Sequence, residues 1–291
     1  MTFNNALLDL ALESFTESGV SGNRENKLIV SLTTFPPRMG IVHYAVFSLL
    51  SQTLKPDAVI LWLAEEEYPG GEKDLPQPLL ALRDNGLSIR WTTNIRSYKK
   101  LVPALREFPD SIIVTADDDL LYVSDWLERL YADYEANGRR TMVYAHRAHK
   151  VALDDAGNLF PYTDWTPAKD NRPGTSFLNF ATGGGGILYP PGALHPDVTD
   201  EERFLSLAPH ADDLWFWAMA VLNGTMTRCV ENCLRKFLLL NITDSPDRLW
   251  RYNIAKGGND IQFKKVLAAY PDIAVNLLAE LRLKLRKQKT P

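Results

Sequence analysis

Short β-branched apolar runs alternate with segments whose apolar positions recur at helical spacing through the first half of the chain. Lys27 to Leu32 reads as a strand, and Val42, Ala45, Val46, Leu49 and Leu50 then mark one face of a helix. Ala58 to Leu63 is a second strand and Leu75 to Asp84 a short helix. Asn85-Gly86 then turns the chain into a third strand, Leu87 to Trp91. A helical stretch at Leu101 to Phe108 leads to Ile112-Ile113-Val114, an uninterrupted β-branched run of the kind that fills the middle of a parallel sheet. Trp126, Leu127, Leu130, Tyr131 and Tyr134 share the face of the next helix, and Gly138 stands at its C-terminal stop. Such alternation predicts an α/β fold with a doubly wound, mostly parallel, Rossmann-like central sheet.

The second half is less regular. Met142 to Ala145 reads as a strand, Asp154 to Pro173 as a long loop, and Ile187-Leu188-Tyr189 as another strand after four consecutive glycines, Gly183 to Gly186. Asp212-Asp213 opens a helix, Leu214 to Leu222, so apolar that it must be buried. The reading divides the chain into an N-terminal helical extension (1–26), one main domain (27–270) and a C-terminal basic amphipathic helix (271–291). The domain has a regular first half (27–123) and a less regular second half (124–270). In the last segment Leu278, Leu281 and Leu285 line one face and Arg282, Lys284, Arg286, Lys287 and Lys289 supply charge. A docked helix with a solvated basic tail is expected, with peripheral contact to an anionic membrane as the alternative.

Bulk properties exclude several classes. The chain has 291 residues, 45% of them hydrophobic and 23% charged, which are globular values. A formal net charge of −4 argues against a general nucleic-acid binder. No apolar run approaches bilayer length, and Asp9 and Glu13 in the first amphipathic stretch speak against an export signal, so a cytoplasmic protein is expected. Two cysteines, Cys229 and Cys233, are too few for a disulfide framework and read as free thiols.

Candidate chemistry concentrates where strands end. Asp117-Asp118-Asp119 follows the Ile112 strand, at the edge where open α/β sheets place ligands. Three adjacent carboxylates repel one another, and Mn²⁺ or Mg²⁺ relieves that repulsion and attracts phosphate in turn. The alternative is a solvated acidic turn before the next helix. Thr33, Thr34 and Arg38, after the first strand, offer hydroxyls and a guanidinium to a nucleobase, ribose or phosphate, or else brace their own turn. Lys99 and Lys100 are solvated surface or stand where one of them can meet a diphosphate. The glycine run, Gly184 and Gly185 above all, is a flexible turn between strands or lets backbone approach a sugar closely. Trp165, Trp215 and Trp217 offer stacking surfaces or core, and His210 a third metal ligand or acceptor contact.

Taken in order, Thr33-Thr34-Phe35-Pro36-Pro37-Arg38, Tyr98-Lys99-Lys100-Leu101, Ala116-Asp117-Asp118-Asp119 and Asn259-Asp260-Ile261-Gln262 resemble bacterial GT-A-fold glycosyltransferases. The likeness is to the large glycosyltransferase family 2 of surface-polysaccharide gene sets and covers roughly residues 27–270. It implies that Asp117-Asp118-Asp119 matches the Asp-X-Asp element, with Asp119 as the direct metal ligand and Asp117 nearer the ribose or sugar. It also implies that Asp212-Asp213 matches the acidic pair supplying the catalytic base, Asp213 above all. The family's second-strand Asp-Asp-Gly-Ser is replaced here by Trp62-Leu63-Ala64-Glu65-Glu66-Glu67, which leaves the base contacts unassigned.

The resemblance implies a metal-dependent transferase that moves a sugar from a nucleoside diphosphate sugar, with a UDP-sugar as the expected donor. The acceptor would be a hydroxyl of a glycan or lipid-linked glycan, and inversion is expected. Two alternatives stand beside it: an Asp-dependent metal phosphohydrolase using Asp117 and Asp119, and a nucleotide-sugar-binding protein without catalysis.

Overall fold

The computed structural model describes residues 5–22, 24–138, 140–154, 156–167, 172–230, 238–239, 253 and 257–288; side-chain placements are described only as far as Leu283. In chain order its strands are β1 (Leu28–Thr33), β2 (Ala58–Ala64), β3 (Leu87–Thr92), β4 (Ile112–Thr115), β5 (Leu120–Leu121), β6 (Val143–Ala145), β7 (Ala148–Lys150), β8 (Gly174–Ser176), β9 (Asn179–Ala181), β10 (Ile187–Tyr189), β11 (Thr227–Cys229) and β12 (Leu238–Leu239). Its helices are α1 (Asn5–Glu13), α2 (Val42–Leu50), α3 (Gln77–Ala81), α4 (Val102–Glu107), α5 (Trp126–Ala136), α6 (Glu201–Leu207), α7 (Asp212–Leu222), α8 (Gly258–Ala269) and α9 (Asp272–Gln288).

Eight strands form one mixed sheet in the order β3-β2-β1-β4-β10-β6-β11-β8. The expected α/β alternation holds through β1–β4, whose neighbours all run parallel. Leu28, Val30 and Leu32 enter one apolar cluster with α2 and α5, while Ile29 enters the other with α4 and α7. Both faces of the sheet are therefore covered, which is why these strands read as continuous apolar runs rather than alternating ones.

Beyond β4 the sheet is mixed, within the mostly parallel expectation: β10 runs antiparallel to both β4 and β6. The chain arrives at β10 from the edge where β4 ends, so it has to run back through the sheet. Ile187, the first residue of β10, pairs with Thr115, the last of β4, and with Ala145, the last of β6. That reversal brings the glycine run Gly183–Gly186 and the residues after β6 to the edge that carries Asp117–Asp119.

Helix α7 is apolar on all sides because it is enclosed on all sides: Leu214, Trp215, Phe216, Trp217 and Met219 are all buried. Helix α9 docks against α7. Ile273 and Leu277 enter the core, whereas the sequence pointed to Leu278, Leu281 and Leu285 as the apolar face. Glu280 secures the helix further by accepting hydrogen bonds from Ser176 Oγ and the Phe177 N–H. Leu285 and the basic side chains from Lys284 onward lie outside the described residues, as does Cys233; Cys229 is a buried free thiol. No described helix is long and apolar enough to cross a membrane.

Candidate functional site

Strand β1 ends in the turn Thr33–Arg38, where Pro36 and Pro37 begin a tight 3-10 turn that folds Arg38 back over the sheet edge. Thr34 Oγ1 donates to Asp118 Oδ2 at 2.6 Å, and Arg38 Nη1 pairs with Asp118 Oδ1. Arg38 Nη2 reaches Asp119 Oδ2 at 3.1 Å. Asp118, which the sequence also offered as a nucleotide contact, is buried with both oxygens engaged and braces the turn. Thr33 Oγ1 likewise donates inward, to Trp62 O at 2.8 Å. Of the three turn residues named from sequence, the two threonines serve the turn itself, and Arg38 alone directs charge towards the acidic cluster.

The two adjacent lysines part company. Lys99 is buried and paired with Glu67, which commits it away from a diphosphate. Lys100 points into the acidic cluster. Its carbonyl accepts a 2.7 Å bond from Ser31 Oγ on β1, and that hydroxyl is held by Trp62 Nε1 at 3.0 Å. Its ammonium lies 2.9 Å from Asp212 Oδ2, 3.2 Å from Asp117 Oδ1 and 3.6 Å from Asp213 Oδ1. Burial alone would depress the Lys100 ammonium, but those three carboxylates together hold it well above the ordinary lysine value. The turn that presents it contains Arg96 at φ +58°, a left-handed conformation uncommon outside glycine.

Asp213 is the second carboxylate of α7. Its Oδ2 accepts the Gly183 N–H at 3.0 Å, while Oδ1 is buried beside Lys100 with no hydrogen-bond donor among the described residues. A Cβ on Gly183 would stand 2.6 Å from Lys100 Nζ, 3.1 Å from Asp213 Oδ1 and 3.2 Å from Asp117 Oδ1, so only glycine leaves room for this packing. A Cβ on Gly184 would come no nearer than 3.7 Å to Asp117, whereas one on Gly185 would strike Arg147 Cβ at 2.5 Å. Burial pushes the Asp213 carboxyl up to about 6; Asp212 and Asp117 add to the rise and Lys100 opposes it. Asp119 is also pushed up to about 6, by burial and then by Asp117, against the pull of Arg38. The Asp117 N–H donates to the Tyr122 hydroxyl at 2.7 Å, which fixes the acidic turn on the core.

Five carboxylates, Asp117–Asp119 and Asp212–Asp213, therefore share two cations, Lys100 and Arg38, leaving three formal negative charges uncompensated. That surplus is what a divalent cation would relieve. Among the described residues no group of three or more His, Cys, Asp or Glu side chains converges as a complete cation shell. A Mg²⁺-like ion does not require one, since it commonly takes one or two carboxylates and completes its shell with phosphate oxygens and water. Asp117 and Asp119 fit that partial role.

Other residues singled out from sequence sit elsewhere. Trp215 is fully buried, its Nε1 donating to Val198 O at 3.1 Å and its ring against Phe204 and Tyr270, so it is core and not a sugar platform. Trp165 and Trp217 are core for the same reason. The His210 ring is met at 3.1 Å by Arg96 Nη1, and burial and that guanidinium lower its pKa. A neighbouring guanidinium disfavours a metal ion there.

The Asn259–Gln262 motif, assigned no chemical role from sequence, acts as a brace: Asp260 Oδ1 accepts the Tyr162 N–H at 2.8 Å, and Gln262 Oε1 accepts the His210 N–H at 2.9 Å. One residue the sequence reading passed over now matters. Arg147, just beyond β6, donates to Thr182 Oγ1 at 2.7 Å next to the glycine run. No protein-family model matches the chain, and no curated protein matches it, so the geometry of this edge carries the functional argument.

Proposed function

We propose that the chain is a metal-dependent glycosyltransferase, moving a sugar from a nucleoside diphosphate sugar, with UDP the expected carrier, to an acceptor hydroxyl. The observation that carries this reading is the meeting of Asp117–Asp119 with Asp212–Asp213 around Lys100, at the edge where β1 and β4 end. The acidic turn suits the diphosphate end of a donor, and Asp213 suits the acceptor end.

In this reading the Asp213 carboxylate takes the proton of the acceptor hydroxyl. A carboxyl held near 6 is ionised at neutral pH yet basic enough to assist attack. The acceptor oxygen bonds to the anomeric carbon as the bond from that carbon to the diphosphate oxygen breaks, and the electron pair leaves with the diphosphate. Lys100 and the Gly183 N–H hold Asp213 in place for that transfer. A divalent cation held by Asp117 and Asp119 would supply neutralisation of the leaving group. A base on the acceptor face is the arrangement of a single, inverting displacement. A cytoplasmic enzyme acting on a glycan or lipid-linked glycan for surface polysaccharide completes the reading.

The test is a screen of nucleoside diphosphate sugars by calorimetry and by donor consumption, with and without Mn²⁺. Mn²⁺-dependent UDP binding that Asp119→Ala abolishes is expected, together with Asp213→Asn that binds UDP but does not turn over. Metal-independent binding, or near-normal turnover by Asp213→Asn, overturns the proposal. Release of inorganic phosphate from simple phosphomonoesters would point to the phosphohydrolase instead.

A further inference from the structure

The sheet order separates two sides of the edge. Strand β1 and its Thr33–Arg38 turn lie on one side of β4 and β10, and β6 with Arg147 lies on the other. Asp213 and Gly183 stand between them, at the entry to β10. If the nucleotide occupies the β1 side, whatever Asp213 deprotonates approaches from the side of β6.

That side has its own polar groups. Strands β7 and β9 pair as a two-stranded ribbon, with His149 opposite Phe180. Arg147 directly precedes this ribbon, two positions before His149, and its carbonyl accepts the Thr182 N–H at 3.1 Å. Arg147 is half-buried and hydrogen-bonds Thr182 Oγ1, a neutral acceptor; it forms no ion pair with any described residue. A guanidinium has five N–H donors in a planar fork suited to a carboxylate or phosphate, and here most of them are unused. This contrasts with Arg38 and Lys100, which are already claimed by carboxylates.

His149 Nε2 is buried with no hydrogen-bond partner among the described residues, and its ring centroid lies 5.5 Å from that of Tyr162. Burial, then Arg147, pushes the His149 imidazole down to about 4, so it is neutral and able to donate or accept one bond. The Tyr162 phenol, pushed up to about 12 chiefly by burial, is close enough to feel both Arg147 and Asp213. Gly185 permits the whole arrangement, since a side chain there would collide with Arg147.

We propose that Arg147, with His149 and Tyr162, forms an anion-recognising subsite on the acceptor side of Asp213, so that the acceptor carries a carboxylate or a phosphate near its reacting hydroxyl. The assignment rests on the transferase reading for the word acceptor, but the subsite itself is a binding property measurable without turnover.

The experiment is calorimetric titration of glucuronate, glucose 6-phosphate and glucose into the full chain, with and without saturating UDP and Mn²⁺. At least one of the two anionic sugars is expected to bind about tenfold or more tightly than glucose, the stronger arm identifying carboxylate or phosphate. Arg147→Gln should erase that preference and leave UDP binding unchanged, while Arg147→Lys should retain part of it. Equal binding, or absence of binding, of all three sugars overturns the subsite, as does a preference that survives in Arg147→Gln. Loss of the transferase reading shows separately, as failure of UDP and Mn²⁺ to bind while the anion preference persists.

Discussion

The ammonium of Lys100 lies 2.9 Å from the carboxylate of Asp212, and this pair ties the turn packed on β1 to the start of α7. Both partners are buried, and Asp117 and Asp213 crowd the same ammonium. Replacing Lys100 by Met would leave three carboxylates facing one another across a space with little water. A stability loss of about 3–5 kcal/mol in urea denaturation is expected, because an uncompensated buried charge costs more than the pair contributes. Combining Lys100→Met with Asp212→Asn should recover part of that loss. Strict additivity of the two changes would show that the pair is not coupled.

Gly183 and Gly184 are adjacent but not equivalent. The Cβ of Ala at 183 would displace the Lys100 ammonium, whereas at 184 it would meet only ordinary contacts. Gly183→Ala is therefore expected to weaken Mn²⁺-dependent UDP binding about tenfold or more while the chain still folds. Gly184→Ala should leave folding unchanged within about 0.5 kcal/mol. Calorimetry and thermal melts on the pair separate the two expectations.

How much of this could be read from residue order alone differs from element to element. Strands β1–β4 were legible because apolar runs such as Ile112-Ile113-Val114 are long enough to declare burial on both faces. The direction of β10 was not, since three apolar residues at Ile187–Tyr189 pair equally well either way, and only the connection through the glycine run decides. Asp117–Asp119 could be read as a site, but not which of three neighbouring side chains turns inward. That choice falls to Asp118, through Thr34 and Arg38 from a distant turn. Trp215 could not be assigned because an all-apolar helix offers no outward face from which to tell a platform from core. Arg147 carried no local signal at all, and its significance comes from the adjacency of β6 and β10.

Asp213 makes stability depend on pH. Its carboxyl titrates near 3.8 when unfolded and is pushed up to about 6 in the fold by burial. Between those values the folded chain keeps a proton that the unfolded chain has released, so this residue's contribution is most favourable below about 4. It is lost as pH rises through about 6. Asn keeps an oxygen for the Gly183 N–H and never ionises. Without divalent cation, Asp213→Asn should melt close to the wild type at pH 4 and on the order of 2–4 °C above it at pH 7.5. A higher melting point in the variant that has lost turnover is the signature of a carboxylate kept for chemistry at the expense of folding. A lower melting point at pH 7.5 would assign Asp213 a structural role instead.

The far end of the glycine run makes the opposite test. Gly186 adopts φ +89°, and a Cβ there would lie 2.3 Å from Cζ2 of Trp126. Trp126 is fully buried and its Nε1 donates to Gly185 O at 2.8 Å, so the indole cannot withdraw without losing that bond and opening the core under α5. Backbone strain and overpacking act together in Gly186→Ala, for an expected loss of about 3–5 kcal/mol in urea denaturation or failure to accumulate folded. At Gly183 a methyl group meets the charged ends of Lys100, Asp213 and Asp117, and at Gly186 it meets packed core. The four glycines thus span a boundary, and binding lost at one end with stability kept, against stability lost at the other, would locate that boundary between adjacent turns of the same segment.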